Sequence, residues 1–358
     1  MKFLSSSNYF RPLSLADRIN LSAAAVLRAT PSPVLRLLGS RTNSDGDKIA
    51  PDVYASLRSL DLIGEDISDM PVEEARKATE TSSLMAAGPQ IKVGQVTEIQ
   101  VAGHRVRYYR PDNTTSRKIP TLVYLHGGGW VVGSLDSHDN PARYFCANAN
   151  VAVLSVDYPL APEHPFPAPI NAVSDVLEAV MGGDVPGVDT ERIAIAGDSA
   201  GANLAAAACI QLAIVGHRQP RLQMLFVPAT NVRDFDTPSH REFAERHYLT
   251  AKQIPWFRDA YVPEVADREN PLASPLLAED SLLEKVAPAY VAVAGHDPLR
   301  DEGEAYARRL AAVGVPTSLR RHTTLIHPFV NSFWVWEDAK RAMDEAVGVL
   351  RHMLGVMG

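Results

Sequence analysis

Ile193-Ala194-Ile195-Ala196-Gly197-Asp198-Ser199-Ala200-Gly201, running on into the alanine-rich stretch Ala202–Leu212, decides the fold of this 358-residue chain. Four small or β-branched apolar residues bounded by glycine read as a buried strand, and Ala202–Leu212 reads as a helix. Between them stands G-x-S-x-G, a pattern that a chain of this length contains by chance about one time in ten. Strand, tight turn and helix around it make the context far more specific than the motif. Gly197 and Gly201 fit a turn that packs too closely for a Cβ. Such a turn lifts the Ser199 hydroxyl out of the sheet and sets it at the positive end of the following helix.

Further apolar runs with helical stretches between them extend the pattern in both directions: Leu122–Leu125, Val151–Val156, Met224–Val227, Tyr290–Ala294 and Thr317–Arg320. Strands so spaced imply βαβ units, an α/β fold and a mostly parallel sheet. Val96–Val101 and His104–Arg110 alternate and flank Ala102-Gly103, an antiparallel pair. Asn231–Asn270 breaks the rhythm and reads as a helical insertion over the strand ends. Pro51–Gly88 holds two helices, the second opened by Glu73 and Glu74 after Pro71. Residues 1–47 read as an added helical segment, with a helix over Pro12–Arg28, a short helix begun at Ser32-Pro33 and ended at Gly39, and a polar linker from Arg41 to Asp47.

His126-Gly127-Gly128-Gly129-Trp130 follows a strand and exposes consecutive backbone N–H groups. Together with the Ala200 N–H they suit the oxyanion formed when a serine attacks an ester carbonyl, where one donor is worth about a hundred- to a thousand-fold in rate. No phosphate-loop or dinucleotide fingerprint competes for these glycines. His126 is expected to hold the loop rather than move protons. Asp297, directly after the strand ending at Ala294, and His327, in the loop after Thr317–Arg320, follow in the order Ser–Asp–His. His296 and His322 are alternative bases, and Asp301 and Glu302 alternative acids; helix capping accounts for Asp301.

Composition narrows the classes. A net charge of −7 argues against a nucleic-acid surface. No apolar run reaches the length of a membrane span, and Arg11, Asp17 and Arg18 interrupt any signal-type stretch, so a cytoplasmic address is expected. Asn113-Thr114-Thr115 matches a glycosylation pattern that matters only on a secretory route. Cys146 and Cys209 read as buried core thiols; neither metal nor organic cofactor is expected.

The chain resembles the hormone-sensitive-lipase-like group of α/β-hydrolases, also called bacterial family IV esterases. The similarity is carried by His126–Trp130, Asp157–Pro167, Gly197–Gly201, Ser274-Pro275-Leu276, Asp297–Gly303 and His327. The resemblance implies about eight strands flanked by helices, a cap built from residues 48–90 and the insertion at about 231–270, and a catalytic domain over 91–358. It also implies Gly128, Gly129 and Ala200 as oxyanion donors, and short- to medium-chain esters as substrates. Trp130, Tyr248 and Trp256 are candidates to line the pocket. Two departures stand out. Pro328 replaces the glycine usual after the histidine, which is expected to alter that loop, and residues 1–47 exceed what the family needs, leaving docking or homodimer pairing as their expected use. The function expected is serine ester hydrolysis, with an amidase on the same triad or a non-catalytic ligand-binding protein as alternatives.

Overall fold

The computed structural model describes residues 3–7, 22, 24–63, 66–112 and 118–356. Among these residues nine strands form one sheet: β1 (Phe3–Ser7), β2 (Gln95–Val101), β3 (His104–Arg110), β4 (Ile119–Leu125), β5 (Ala152–Val156), β6 (Val188–Asp198), β7 (Leu222–Phe226), β8 (Ala289–His296) and β9 (Thr317–Ile326). Their order is β1-β2-β3-β5-β4-β6-β7-β8-β9. The first three pairings are antiparallel and the rest parallel. Eight of these strands were expected; the ninth, β1, comes from the segment 1–47, read as an added helical extension with no strand. It adds to the edge of β2, a position that a five-residue polar strand without hydrophobic periodicity does not announce. Most of the expected Pro12–Arg28 helix lies outside the described residues, although 24–29 are helical. Asn113-Thr114-Thr115 also lies outside them.

The main helices are α1 (Pro51–Ile63), α2 (Val72–Ala87), α3 (Asp139–Ala149), α4 (Ala168–Gly182), α5 (Ala200–Val215), α6 (Gln253–Tyr261), α7 (Arg300–Ala312) and α8 (Glu337–Met353). Strand alternation divides the core into two layers. Leu122, Tyr124, Ala194 and Ala196 pack on one face with α1, α3 and α8. Val123, Leu125, Ile193 and Ile195 pack on the other with α4 and α5. α5 is buried from Ala200 to Ile210, and its alanines let it lie close against the sheet on one side and neighbouring helices on the other. α8, by contrast, buries only the stripe Ala339, Ala342, Met343, Ala346, Val347 and Leu350, the pattern of a helix with one face in water.

The Arg41–Asp47 segment is docked rather than a free linker. Asn43 Nδ2 donates to the Gly295 carbonyl at 3.1 Å, Ser44 Oγ donates to Glu242 Oε2 at 2.7 Å, and Asp45 pairs with Arg321 at 2.7 Å. Each short polar side chain finds a partner distant in sequence, which composition alone does not reveal. Ser32-Pro33 also sits one position later than expected, since Pro31 caps the Ser32–Leu35 turn without a side-chain bond.

Candidate active site

The loops after β4, β6, β8 and β9 meet above the same end of the parallel sheet, where a doubly wound fold leaves room for a ligand. Ser199 lies between β6 and α5 with φ +55° and ψ −116°, a conformation strained for a residue with a side chain. Its backbone N–H is tied to the Phe226 carbonyl at 2.8 Å. The flanking glycines are needed for close approach. A Cβ at Gly197 would lie 2.3 Å from the Gly201 carbonyl carbon, and one at Gly201 would lie 2.1 Å from the Leu125 carbonyl oxygen. That second contact brings the start of α5 against the glycine loop.

His327 Nε2 lies 2.9 Å from Ser199 Oγ, and its Nδ1 lies 2.8 Å from Asp297 Oδ2. The second carboxylate oxygen of Asp297 accepts the Leu299 N–H at 2.9 Å, and the side chain is wholly buried. Pro328 is accommodated in a short 3-10 turn, His327–Asn331, with φ −84°; it does not draw His327 away from its two neighbours. The alternatives go elsewhere. His296 points toward His247, with ring centroids 6.3 Å apart, and burial pushes its pKa down to about 4. His322 belongs to β9 itself. Asp301 does not cap α7; it accepts the Ser239 N–H at 2.9 Å, and Leu299 holds the capping position. Glu302 lies 3.3 Å from His240.

The glycine loop is held open by its own backbone. Gly128, Gly129 and Trp130 all have positive φ, +123°, +56° and +61°. A Cβ at Gly128 would strike the Val132 carbonyl at 2.2 Å, and one at Gly129 the Phe257 ring at 2.1 Å. His126 Nδ1 donates to the Gly127 carbonyl at 2.8 Å and the ring stacks on Tyr158 at 4.3 Å. Burial pushes His126 to about 4, so it is neutral near pH 7. Ala200 opens α5, where the first N–H groups lack partners inside the helix.

Asp198 faces away from the hydroxyl of its neighbour, into a buried polar group. Tyr124 OH donates to its Oδ1 at 2.8 Å, and His138 Nε2 lies 3.2 Å from its Oδ2. Burial would raise the Asp198 carboxyl, but His138 and the Tyr124 hydroxyl outweigh it and hold the group below the usual carboxylate range. Of the pocket candidates, Trp130 is buried and stacks on Tyr261 of α6 at 4.3 Å. Trp256 stands edge-on to Phe257, with centroids 5.0 Å apart. Tyr248 is 39% exposed and has φ +79°. Sequence reasoning missed Phe257, His138 and Asn331, none of which sits in a recognisable pattern. Among the described residues no cluster of three His, Cys, Asp or Glu could hold a metal ion, and no helix is long and apolar enough to cross a membrane.

This chain belongs to the α/β-hydrolase fold family, whose model matches residues 122–331. Among its relatives is the carboxylic ester hydrolase LipN of Mycobacterium tuberculosis, 38% identical over 345 residues, covering 91% of this chain and 89% of that protein. An ethyl acetate hydrolase of Pseudomonas putida is 36% identical over 296 residues, 80% of this chain and 91% of that one. A hyperthermophilic esterase from the archaeon Pyrobaculum calidifontis has a solved structure that matches with TM-score 0.81 at 36% identity, over 85% of this chain and 98% of its own.

Proposed function

We propose that this chain is a serine carboxylic ester hydrolase acting on short- to medium-chain esters through an acyl-enzyme. The observation that carries the reading is the unbroken line from Asp297 through His327 to Ser199, at 2.8 and 2.9 Å, beside an open glycine loop. Asp297 accepts from His327 Nδ1 and leaves Nε2 free to take the Ser199 proton as Oγ bonds to the ester carbonyl carbon. The carbonyl oxygen, now negative, rests on the Gly128, Gly129 and Ala200 amides. His327 then gives its proton to the departing alcohol oxygen as that bond breaks, leaving the acyl group on Ser199. Water, deprotonated by His327, repeats the addition and frees the acid.

The names of the relatives support the ester as substrate. The Phe257 ring against Gly129 supports a limited acyl chain, because it fills space beside the carbonyl-binding loop. Residues 48–90 and 231–270 would act as the cap and 91–358 as the catalytic domain, with residues 1–47 as an extension docked through its last residues.

Hydrolysis of p-nitrophenyl esters from acetyl to palmitoyl tests the reading. The expected profile has its maximum between acetyl and octanoyl, and Ser199→Ala is expected to lower kcat by about a million-fold. Substantial turnover by Ser199→Ala would remove the nucleophile from the scheme. A matched ester and anilide pair separates esterase from amidase use of the same groups.

A further inference from the structure

His138, at the start of α3, lies outside every motif of the sequence, yet it is 3% exposed and surrounded by the three segments that carry the reaction. Its Nε2 lies 3.2 Å from Asp198 Oδ2, the residue before Ser199. The same nitrogen lies 2.9 Å from the Asn331 amide, at the end of the turn that begins with His327. It is also 3.4 Å from the Gly127 N–H, at the root of the glycine loop. The other ring nitrogen, Nδ1, lies 2.9 Å from Ser137 Oγ. That hydroxyl donates to the Ser134 carbonyl at 3.0 Å and accepts the Ser134 N–H at 2.8 Å. The hydroxyl hydrogen is therefore committed to Ser134, and the oxygen accepts from Nδ1–H, which fixes the ring orientation and turns the Nε2 lone pair toward the Gly127 and Asn331 N–H groups.

We propose that His138 is a positioning residue that holds the glycine loop and the catalytic-histidine turn in mutual register beside the nucleophile turn, its Nε2 accepting from Gly127 and Asn331 next to Asp198. The inference rests on the esterase reading above. The need for such a fastening follows from the backbone. Ser199 and Trp130, which both carry side chains, are held at positive φ, and conformations of that kind persist only where their surroundings over-determine them. The contact faces are already at van der Waals limits. A Cβ at Gly127 would lie 2.3 Å from Asp198 Oδ2, so the loop rests directly on the carboxylate that Tyr124 holds and His138 faces. If His138 is lost, Gly127 loses its link to Asn331, and both the amides and His327 can drift relative to Ser199. Errors of about an ångström in such geometry cost on the order of a hundredfold in rate.

The test compares His138→Ala and His138→Gln with the wild type on p-nitrophenyl acetate, together with inhibition by an aryl trifluoromethyl ketone, whose adduct with Ser199 places an oxyanion on the loop. His138→Ala is expected to lower kcat about a hundredfold while KM changes by no more than about twofold, because ground-state binding is untouched. Inhibitor affinity is expected to weaken in parallel with kcat. His138→Gln, whose amide reaches toward the position of Nε2, is expected to recover about tenfold of the loss. A kcat for folded His138→Ala within about threefold of wild type, or a loss that glutamine does not relieve and that leaves inhibitor affinity intact, overturns the proposal. Should His138→Ala fail to fold, Asn331→Ala on the half-buried histidine turn carries the test. It is expected to lower kcat about tenfold at unchanged KM, and an unchanged kcat overturns the proposal. Failure of the esterase reading is separately visible, as wild-type turnover that survives Ser199→Ala.

Discussion

Two buried carboxylate–histidine pairs lie at the two ends of one short segment, and they do different things. Asp297, just after β8, lies 2.8 Å from His327, and Glu302, in the first turn of α7, lies 3.3 Å from His240. Both carboxylates are essentially inaccessible. The difference lies in what stands on the far side of each ring. Beyond His327 is Ser199 Oγ at 2.9 Å. The Nδ1 of His240 instead lies 2.8 Å from Thr237 Oγ1, part of its own short helix. Glu302 also accepts the backbone N–H groups of Thr230 and Asn231, at 2.6 and 3.1 Å, so it ties the root of the insertion to α7. Burial raises the Glu302 carboxyl, partly offset by His240 and those two amides. A carboxylate beside a buried imidazole is thus not by itself the mark of a reactive site. A strained hydroxyl within reach of the imidazole is what turns one such pair into a reactive site.

The sharpest way to break this distinction is to neutralise each acid in turn. Asp297→Asn is expected to lower kcat by about ten-thousand-fold, because the amide favours the wrong imidazole tautomer, while the unfolding midpoint in urea shifts little. Glu302→Ala is expected to behave in the opposite way. It leaves two buried N–H groups without an acceptor and His240 without the carboxylate beside it, a loss of about 3 kcal/mol of stability, while kcat of the folded protein falls by less than about tenfold. Urea unfolding and steady-state kinetics on the same two preparations decide it. If Glu302→Ala loses as much kcat as Asp297→Asn, the two pairs are not functionally distinct and the site extends into α7.

How far each pair was legible in the sequence follows from how local its signal is. Ser199 and the glycine loop were readable because steric limits write themselves into consecutive residues: Gly197 and Gly201 around the turn, and Gly127 to Gly129 after β4. The strands were readable from apolar runs that the parity of a buried sheet requires. Asp297 and His327 followed from their places after β8 and β9, although the residues alone left His296, His322, Asp301 and Glu302 in contention. What stayed hidden depends on single contacts across long sequence separations. His138 reaches Asn331, Phe257 reaches Gly129, and Asn43 reaches Gly295, each through one side chain with no periodicity and no neighbouring motif. β1 stayed hidden for a related reason, since an edge strand borrows its pairing from β2 and needs little apolar pattern of its own.

A third class of histidine sharpens the comparison further, because it is buried with no carboxylate beside the ring. Burial pushes both His126 and His296 down to about 4 from an ordinary value of 6.5. The unfolded chain therefore takes up protons at these rings near pH 6.5, while the folded chain does not until about pH 4. In that window the unfolded state binds more protons, so stability is full above it and falls as the pH is lowered through it. His126 alone is expected to contribute a loss of about 3 kcal/mol across the window. Urea midpoints measured at steps from pH 7 to 4 check this, and His296→Phe, which keeps an aromatic ring beside His247 and Phe243, is expected to flatten part of the slope. A urea midpoint independent of pH over this range would mean that these two rings are hydrated. The tight glycine loop around His126 would then be looser than its contacts indicate.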